Sequence, residues 1–168
     1  MSVLPIRLFP DPVLKNRAEE ISQINGELQN LIDDMAQTMY KAPGLGLAAN
    51  QVGVLRRVIV LDVGQREGKA DLQVLLNPCL TQGEGEIIHN EGCLSVCDFS
   101  VELRRYARVL VTGLDREGNP LEVEAEGLLA IVLQHEIDHL NGLLIIDRIS
   151  RLKRGLYLRK LKKQAAAG

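Results

Sequence analysis

Leu28, Leu31, Ile32, Met35 and Met39 recur at helical spacing after Asn25. They predict a helix that ends near Ala42, because Pro43 and Gly44 follow. Upstream, Asp11 before Pro12 has the form of an N-cap with proline at the first helical position. Residues 44–50, Gly-Leu-Gly-Leu-Ala-Ala-Asn, suit neither helix nor strand and read as a loop. Residues 57–62 are rich in β-branched side chains and read as a short buried strand, and 74–77 read as another. Residues 101–114 and 121–126 flank the turn cluster Asp115-Arg116-Glu117-Gly118-Asn119-Pro120 and so predict a hairpin. Residues 126–140 form a helix closing at Asn141-Gly142. Leu128, Leu129, Ile131, Val132, Leu133, Ile137 and Leu140 make it apolar nearly all round, which places it at the centre of the molecule. A last helix covers residues 149–164. Strands without βαβ alternation, with helices at both ends, argue for an α+β fold. Mainly antiparallel strands are expected around the central buried helix, with a C-terminal helix outside.

The 168 residues are 46% hydrophobic and 25% charged, a balance that fits one globular domain over 1–168. The longest apolar run is 128–133, against roughly 18 residues for a membrane span, so no membrane role is expected. The N-terminal MSVLPIRLFP lacks the apolar centre of a signal peptide, and three Cys are too few for a disulfide framework. A cytoplasmic protein with reduced thiols is expected. Aromatic residues are 3%, with no Trp, which disfavours stacking on single-stranded nucleic acid. Net charge is −2, but residues 148–168 hold eight basic side chains and no acid, leaving a net −10 on the rest. An anionic partner is therefore expected for this tail only.

The central helix carries His135-Glu136-Ile137-Asp138-His139. Positions four apart differ by about 40° in azimuth and about 6 Å in height. Both imidazoles then project from one face and can meet on one ion, with Glu136 placed to reach a water there. A chance match arises roughly 0.004 times in a chain with three His and 13 Glu. Two His and a Glu on an apolar helix would be costly without partners. No His follows His139, so a third ligand must come from upstream. Cys93, in Glu91-Gly92-Cys93-Leu94-Ser95, would give a Cys-His₂ site with one position open; on its own it would read as a small buried hydrophobe. In residues 44–51 the glycines let backbone approach a ligand closely, and Gln51 offers an amide donor suited to an oxyanion. Three rival readings stand beside the metal hydrolase. A cysteine hydrolase would use Cys93, His135 and Gln51 but leave His139 and Glu136 idle. A metalloendopeptidase would need a downstream ligand, where Asp147 is the only acid. A non-catalytic ribosome-binding module would use the basic tail alone.

GLGLAANQ, EGCLS and QHEIDHLNG, in that order, resemble the three motifs of the peptide deformylases. The resemblance spans essentially the whole chain and includes the extra C-terminal helix of the bacterial form. It implies removal of the formyl group from the N-terminal formyl-methionine of new proteins during protein synthesis, with release of formate. It implies Cys93, His135 and His139 as ligands, Glu136 as general acid/base, and Gln51 with the backbone N–H of Leu94 as oxyanion donors. Gly46 would position the substrate backbone. Leu45, Glu91, Leu128, Ile131, Val132 and His135 match positions bordering an apolar methionine pocket, and Gly44 and Gly92 join the substrate-binding set. One divalent ion per chain is implied: Fe2+ for activity, with Zn2+, Ni2+ or Co2+ as substitutes. Ligand softness and affinity ordering alone would favour zinc. The implied partners are N-formylmethionyl nascent peptides and the ribosome near its exit, reached through the basic helix by a monomeric enzyme that does not bind DNA.

Two features depart from the family pattern. Cys97 stands where a proline usually follows the ligand cysteine, which removes a fixed φ and adds a thiol; as a fourth ligand it would close the site. Ser100 occupies a position that is Arg in some members, while Arg105 matches a family Arg. In the last helix, Ile149, Leu152 and Leu156 fall within an arc of about 60° and are expected to dock on the body. Arg148, Arg151, Arg154, Arg159 and Lys162 then face outward, toward ribosomal RNA.

Overall fold

The structure, a computed structural model, describes residues 2–167. The Asp11 side chain accepts the Val13 N–H at 3.0 Å and opens a 3-10 turn at Pro12–Lys15. Helix α1 (Gly26–Lys41) is capped by Asn25, whose side chain accepts the Leu28 N–H at 3.0 Å. It buries Leu28, Ile32, Met35 and Met39 completely and ends before Pro43, as its spacing predicts.

The stretch read as a loop over 44–50 is instead strand β1 (Gly46–Ala48) running into a 3-10 turn at Ala49–Val52. No β-branched residue marks it. It is a strand because it lies along β2 (Val58–Leu61), with Gly46 opposite Leu61 and Ala48 opposite Ile59, and buried backbone must find such partners. Strands β3 (Gln73–Glu84), β6 (Arg108–Leu114) and β7 (Pro120–Glu126) complete a five-stranded antiparallel sheet in the order β1-β2-β3-β6-β7. All four residues of β2 are buried because the sheet is covered on both faces. Val58 and Val60 pack toward α1, while Ile59 and Leu61 pack toward the central helix, following strand alternation.

Strands β4 (Ile87–Cys93) and β5 (Val96–Arg105) form a separate two-stranded sheet. Residues 101–114 are therefore not one strand. The chain leaves this sheet at Arg105, whose side chain turns inward to Glu91 and Asp138, and re-enters the larger sheet at Arg108. The expected hairpin is β6–β7, closed by Asp115 accepting the N–H groups of Glu117 and Asn119.

Helix α2 (Gly127–Leu140) lies between the two sheets, with Leu133 and Leu140 fully buried. At its C-terminal end the buried Arg57 guanidinium donates to Leu140 O at 3.1 Å and Asn141 Oδ1 at 2.9 Å, supplying charge where helix carbonyls lack partners. Gly142 follows with φ +79°, and a side chain there would meet Lys15 O.

Helix α3 (Arg151–Ala167) corrects the expected docking face. Leu152 is 70% and Leu156 54% exposed. The buried side chain is Tyr157, which packs on Phe99 and Phe9 with half-buried Ile149 and Leu161. Nor is the basic face wholly free: Arg148, in a 3-10 turn before α3, pairs with Asp138, and Arg154 pairs with Asp147. No helix among the described residues is long and apolar enough to cross a membrane.

Candidate metal centre and active site

Helical spacing puts His135 and His139 one turn apart on the same face of α2, with their Nε2 atoms 3.2 Å from each other. The β4–β5 ladder shifts register between Gly92 and Cys93. That irregularity brings Cys93 Sγ to 3.3 Å from His139 Nε2, and the three ligand atoms lie within 4.8 Å of one another. Ligands about 2.0–2.3 Å from a tetrahedral ion stand roughly 3.3–3.6 Å apart, close to the spacing here. Without an ion the two imidazoles compete. Burial opposes charge on both, yet the Cys93 thiol and Glu91 draw a proton to His135, holding it well above the usual histidine range. Burial, then the His135 charge, push His139 well below it. A cation held by Cys93, His135 and His139 would remove that conflict, so the donor set fits a metal. Cys97 is exposed and lies outside the group.

Behind the ligands runs a chain of buried charges. His135 Nδ1 is 3.0 Å from Glu91 Oε1. Arg105 grips the same carboxylate with two bonds, at 2.7 and 2.8 Å, and reaches Asp138 on α2 at 2.7 Å. Burial alone would raise the Glu91 pKa, but the Arg105 and His135 hydrogen bonds outweigh it and hold it at about 2. Glu91 stays ionised and orients the His135 ring, which would raise its basicity toward a bound metal. It borders the cavity, but both its oxygens are committed inward. His139 has no such support, and its Nδ1 is buried without a partner.

Glu136 is 2% exposed. Burial pushes its carboxyl up to about 7, and Oε2 has no hydrogen-bond partner. A carboxyl poised near neutrality beside a ligand set suits proton transfer. Gln51 is buried in the 3-10 turn after β1. Its Oε1 accepts the Ala48 N–H at 3.0 Å, so the amide N–H groups turn toward Ser95 Oγ at 3.1 Å and Cys93 Sγ at 3.8 Å. Gly46 is required where β1 crosses α2: a Cβ there would stand 2.9 Å from Val132 Cγ1 and 3.0 Å from Glu136 Cγ. At Gly44 a Cβ would meet Leu94 Cδ1 at 2.9 Å.

These groups open on a cavity of about 630 Å³, within the range of small-ligand sites. Its walls include Gly44, Leu45, Gly46, Gln51, Glu91, Gly92, Cys93, Leu94, Leu128, Ile131, Val132, His135 and Glu136. Of the expected catalytic, ligand and substrate-binding residues, all except His139 thus line one space, and His139 stands behind it against Cys93. Ser100 also lines the wall, whereas Arg105 is held inside the protein. Sequence reasoning missed Arg66, Phe99 and His89, which share that wall. His89 was within reach: strand alternation puts residues 89, 91 and 93 on one face. The pocket is therefore not apolar throughout.

A family profile described as polypeptide deformylase matches residues 3–155. The chain is 58% identical over 162 residues to the peptide deformylase of Thermodesulfovibrio yellowstonii, covering 96% of this chain and 98% of that one. It is 53% identical over 165 residues to that of Desulfosudis oleivorans, covering 98% and 95%. Among solved structures, a peptide deformylase from Legionella pneumophila superposes with TM-score 0.91 at 43% identity, covering 99% of this chain and 97% of the other. That of Ehrlichia chaffeensis in complex with actinonin gives TM-score 0.91 at 39% identity, covering 98% of each.

Proposed function

The chain belongs to the polypeptide deformylase family, and from that premise we propose that it hydrolyses the formyl amide of N-formylmethionyl peptides, releasing formate and a free amino terminus. The observation that carries the reading is the convergence of Cys93, His135 and His139 beside an unpartnered, buried Glu136 in one cavity. Cys93, His135 and His139 are the proposed ligands of one divalent ion, taken as Fe2+ for activity with Zn2+, Ni2+ or Co2+ as substitutes. When bound, the ion supplies Lewis acidity, polarising the formyl oxygen and lowering the pKa of the attacking water.

This chain's residues do the rest. Glu136 takes a proton from the attacking water and returns it to the leaving amine, a role that its pKa of about 7 suits. Gln51, its carbonyl pinned by Ala48 and one N–H turned to Ser95, has its other N–H near Cys93 to offer to the oxygen on which charge develops. The Leu94 N–H is the second proposed donor, and one such donor is typically worth about 3–4 kcal/mol in the transition state. Gly44 and Gly46 keep the cavity floor free of side chains, so a substrate backbone can lie against it. Leu45, Leu128, Ile131 and Val132 supply the apolar wall for a methionine side chain, with Glu91 and Gly92 at its border.

The proposal takes 1–168 as one catalytic domain, monomeric and cytoplasmic, with 148–168 as an accessory basic segment that meets the ribosome. The outward Leu152 and Leu156 and the tail's lysines and arginines support that last role. The decisive experiment measures formate release from formyl-Met-Ala-Ser, with and without a chelator. Turnover that survives complete metal removal would transfer the chemistry to Cys93 as a nucleophile.

A further inference from the structure

We infer that His89 gives the side-chain pocket a hydrogen-bond donor, so that this chain deformylates peptides beginning with formyl-methionine sulfoxide as well as formyl-methionine. The inference rests on the deformylase reading above and adds a second substrate class at the same site. Of the three histidines, His89 is the one that the metal reading leaves unused. It is half-buried on β4 and lines the cavity with Leu45, Leu128 and Ile131. It stands two residues from Glu91 on the same strand face, a displacement of about 7 Å. Glu91 contacts His135, so His89 lines the same cavity one step further along β4 from the proposed ligands.

The ring has an unusual bonding state. Nδ1 is shut away from solvent and has no partner, and no protein group bonds Nε2, which is not shut away. In a neutral imidazole one nitrogen donates and the other accepts. A buried N–H without an acceptor is rarer in proteins than an under-used lone pair. The proton therefore belongs on Nε2, the nitrogen with access to open space. The result is a donor without a protein acceptor beside the apolar wall of Leu45, Leu128, Ile131 and Val132.

A methionine thioether is only a weak acceptor and uses this donor poorly. Oxidation turns it into a polar, chiral sulfoxide, whose S=O oxygen accepts a hydrogen bond well. In a wholly apolar pocket the sulfoxide oxygen would lose its water and gain nothing. Leaving a buried acceptor unpaired corresponds to roughly 10–100-fold in binding, and an N–H from His89 offsets that loss. The hydrolysis is unchanged: water adds, the C–N bond of the formyl amide breaks, and formate and the free amine leave. The sulfoxide is neither reduced nor otherwise altered.

The test compares kcat/KM for formyl-Met-Ala-Ser with that for its two separated sulfoxide epimers, in the native protein, His89→Leu and His89→Gln. The native protein should disfavour the better epimer by less than about tenfold, and the other by more, because a fixed donor reads one S=O direction. His89→Leu should widen the gap for the better epimer by roughly 10–100-fold, and His89→Gln should recover part of it. A formyl-norleucine peptide, which has no acceptor, should keep its rate relative to formyl-methionine in all three proteins. An unchanged sulfoxide-to-methionine ratio in His89→Leu overturns the inference. A second readout needs no turnover: the product peptide Met(O)-Ala-Ser, but not Met-Ala-Ser, should shift the His89 Nε2 resonance in nitrogen NMR, and absence of that shift also overturns it. If the native protein releases no formate from formyl-Met-Ala-Ser, the proposed function falls and this inference with it. If it does and the ratios coincide, only the role of His89 falls.

Discussion

Helices α2 and α3 have 14 and 17 residues and opposite surroundings. α2 is enclosed, with ten of its residues buried, whereas Tyr157 is the single buried residue described on α3. On α2 each polar side chain that points inward has either a partner or a place at the cavity, although Glu136 Oε2 and His139 Nδ1 stay unpaired. Gln134 bonds Tyr106, Asp138 holds Arg105, and His135, Glu136 and His139 face the cavity or Cys93. An enclosed helix makes its polar residues informative, because burying them without a function or a partner is costly. On α3 the same kind of pattern has several equivalent answers. Leu152 with Leu156 and Tyr157 with Leu161 are both i, i+4 pairs, and periodicity cannot rank them. The aromatic neighbours rank them: Tyr157 wins because Phe99 waits 4.6 Å away.

The largest effects should therefore come from α2. Glu136→Gln removes the proton carrier without touching a ligand atom, so turnover should drop by about 10²–10⁴ or more while metal content stays at one ion per chain. Near-normal turnover would put the base elsewhere and remove the strongest reason to treat α2 as the functional helix. Cys93→Ala should instead lose the ion itself, read by metal analysis; full retention would show that the two histidines hold it alone. Gly46→Ala tests the enclosure directly. Its Cβ would collide with Val132 and Glu136, and a displacement approaching 1 Å costs on the order of 10²-fold in rate. Normal kinetics in that variant would mean that Glu136 moves more freely than its packing suggests.

The contrast between the helices also explains what the sequence made legible. The α2 motif could be placed because helix spacing, enclosure and the shortage of other ligands agree. The β4 strand could not, because its pattern is inverted: Ile88 is 58% exposed while Glu91 is buried. Its cavity-facing side includes His89, Glu91 and Cys93, so hydrophobicity points the wrong way there. Strand β1 was hidden for another reason. Gly46 and Ala48 have low strand preference, and only their neighbours β2 and α2 make that segment extended. The break at 105–108 is a tertiary event, created when Arg105 turns inward to charges far away in sequence.

That buried charge chain gives a prediction of intermediate size. Arg105→Met leaves Glu91 and Asp138 without their shared cation, a type of loss that typically costs about 3–5 kcal/mol of stability. Denaturant unfolding of the metal-free protein measures it. The pH dependence has a definite sign. Glu91 is held at about 2 when folded, below its ordinary 4.5. The folded state therefore binds fewer protons than the unfolded state between those values. The stabilisation is complete above about pH 4.5 and is lost as pH falls toward about 2. Arg105→Met should flatten this acid limb. An equally steep limb in the variant would assign acid sensitivity to other carboxylates.

The smallest effect is expected on α3, and it separates folding from docking. Truncating the chain after Ser150 would be a poor test of a ribosome contact. It removes Tyr157, which packs on Phe99, and Phe99 lines the cavity of the candidate site. Tyr157→Ala alone should cost about 3 kcal/mol and raise KM through a loosened cavity wall. Leu152→Ser with Leu156→Ser avoids this, because both side chains face solvent. Surface changes of this kind usually stay within about 0.5 kcal/mol, and turnover of small formyl peptides should be unchanged. If these leucines and the adjoining Arg159 and Lys163 form a contact with ribosomal RNA or protein, co-sedimentation with ribosomes should weaken in the double variant. Binding by the native chain should also fall with salt, as phosphate contacts require. Equal co-sedimentation of the two proteins at low and moderate salt would show that the outward leucines contribute nothing to docking. A loss of several kcal/mol of stability would show instead that they pack on the body after all, and the contrast between the enclosed and the open helix would then fail at its open end.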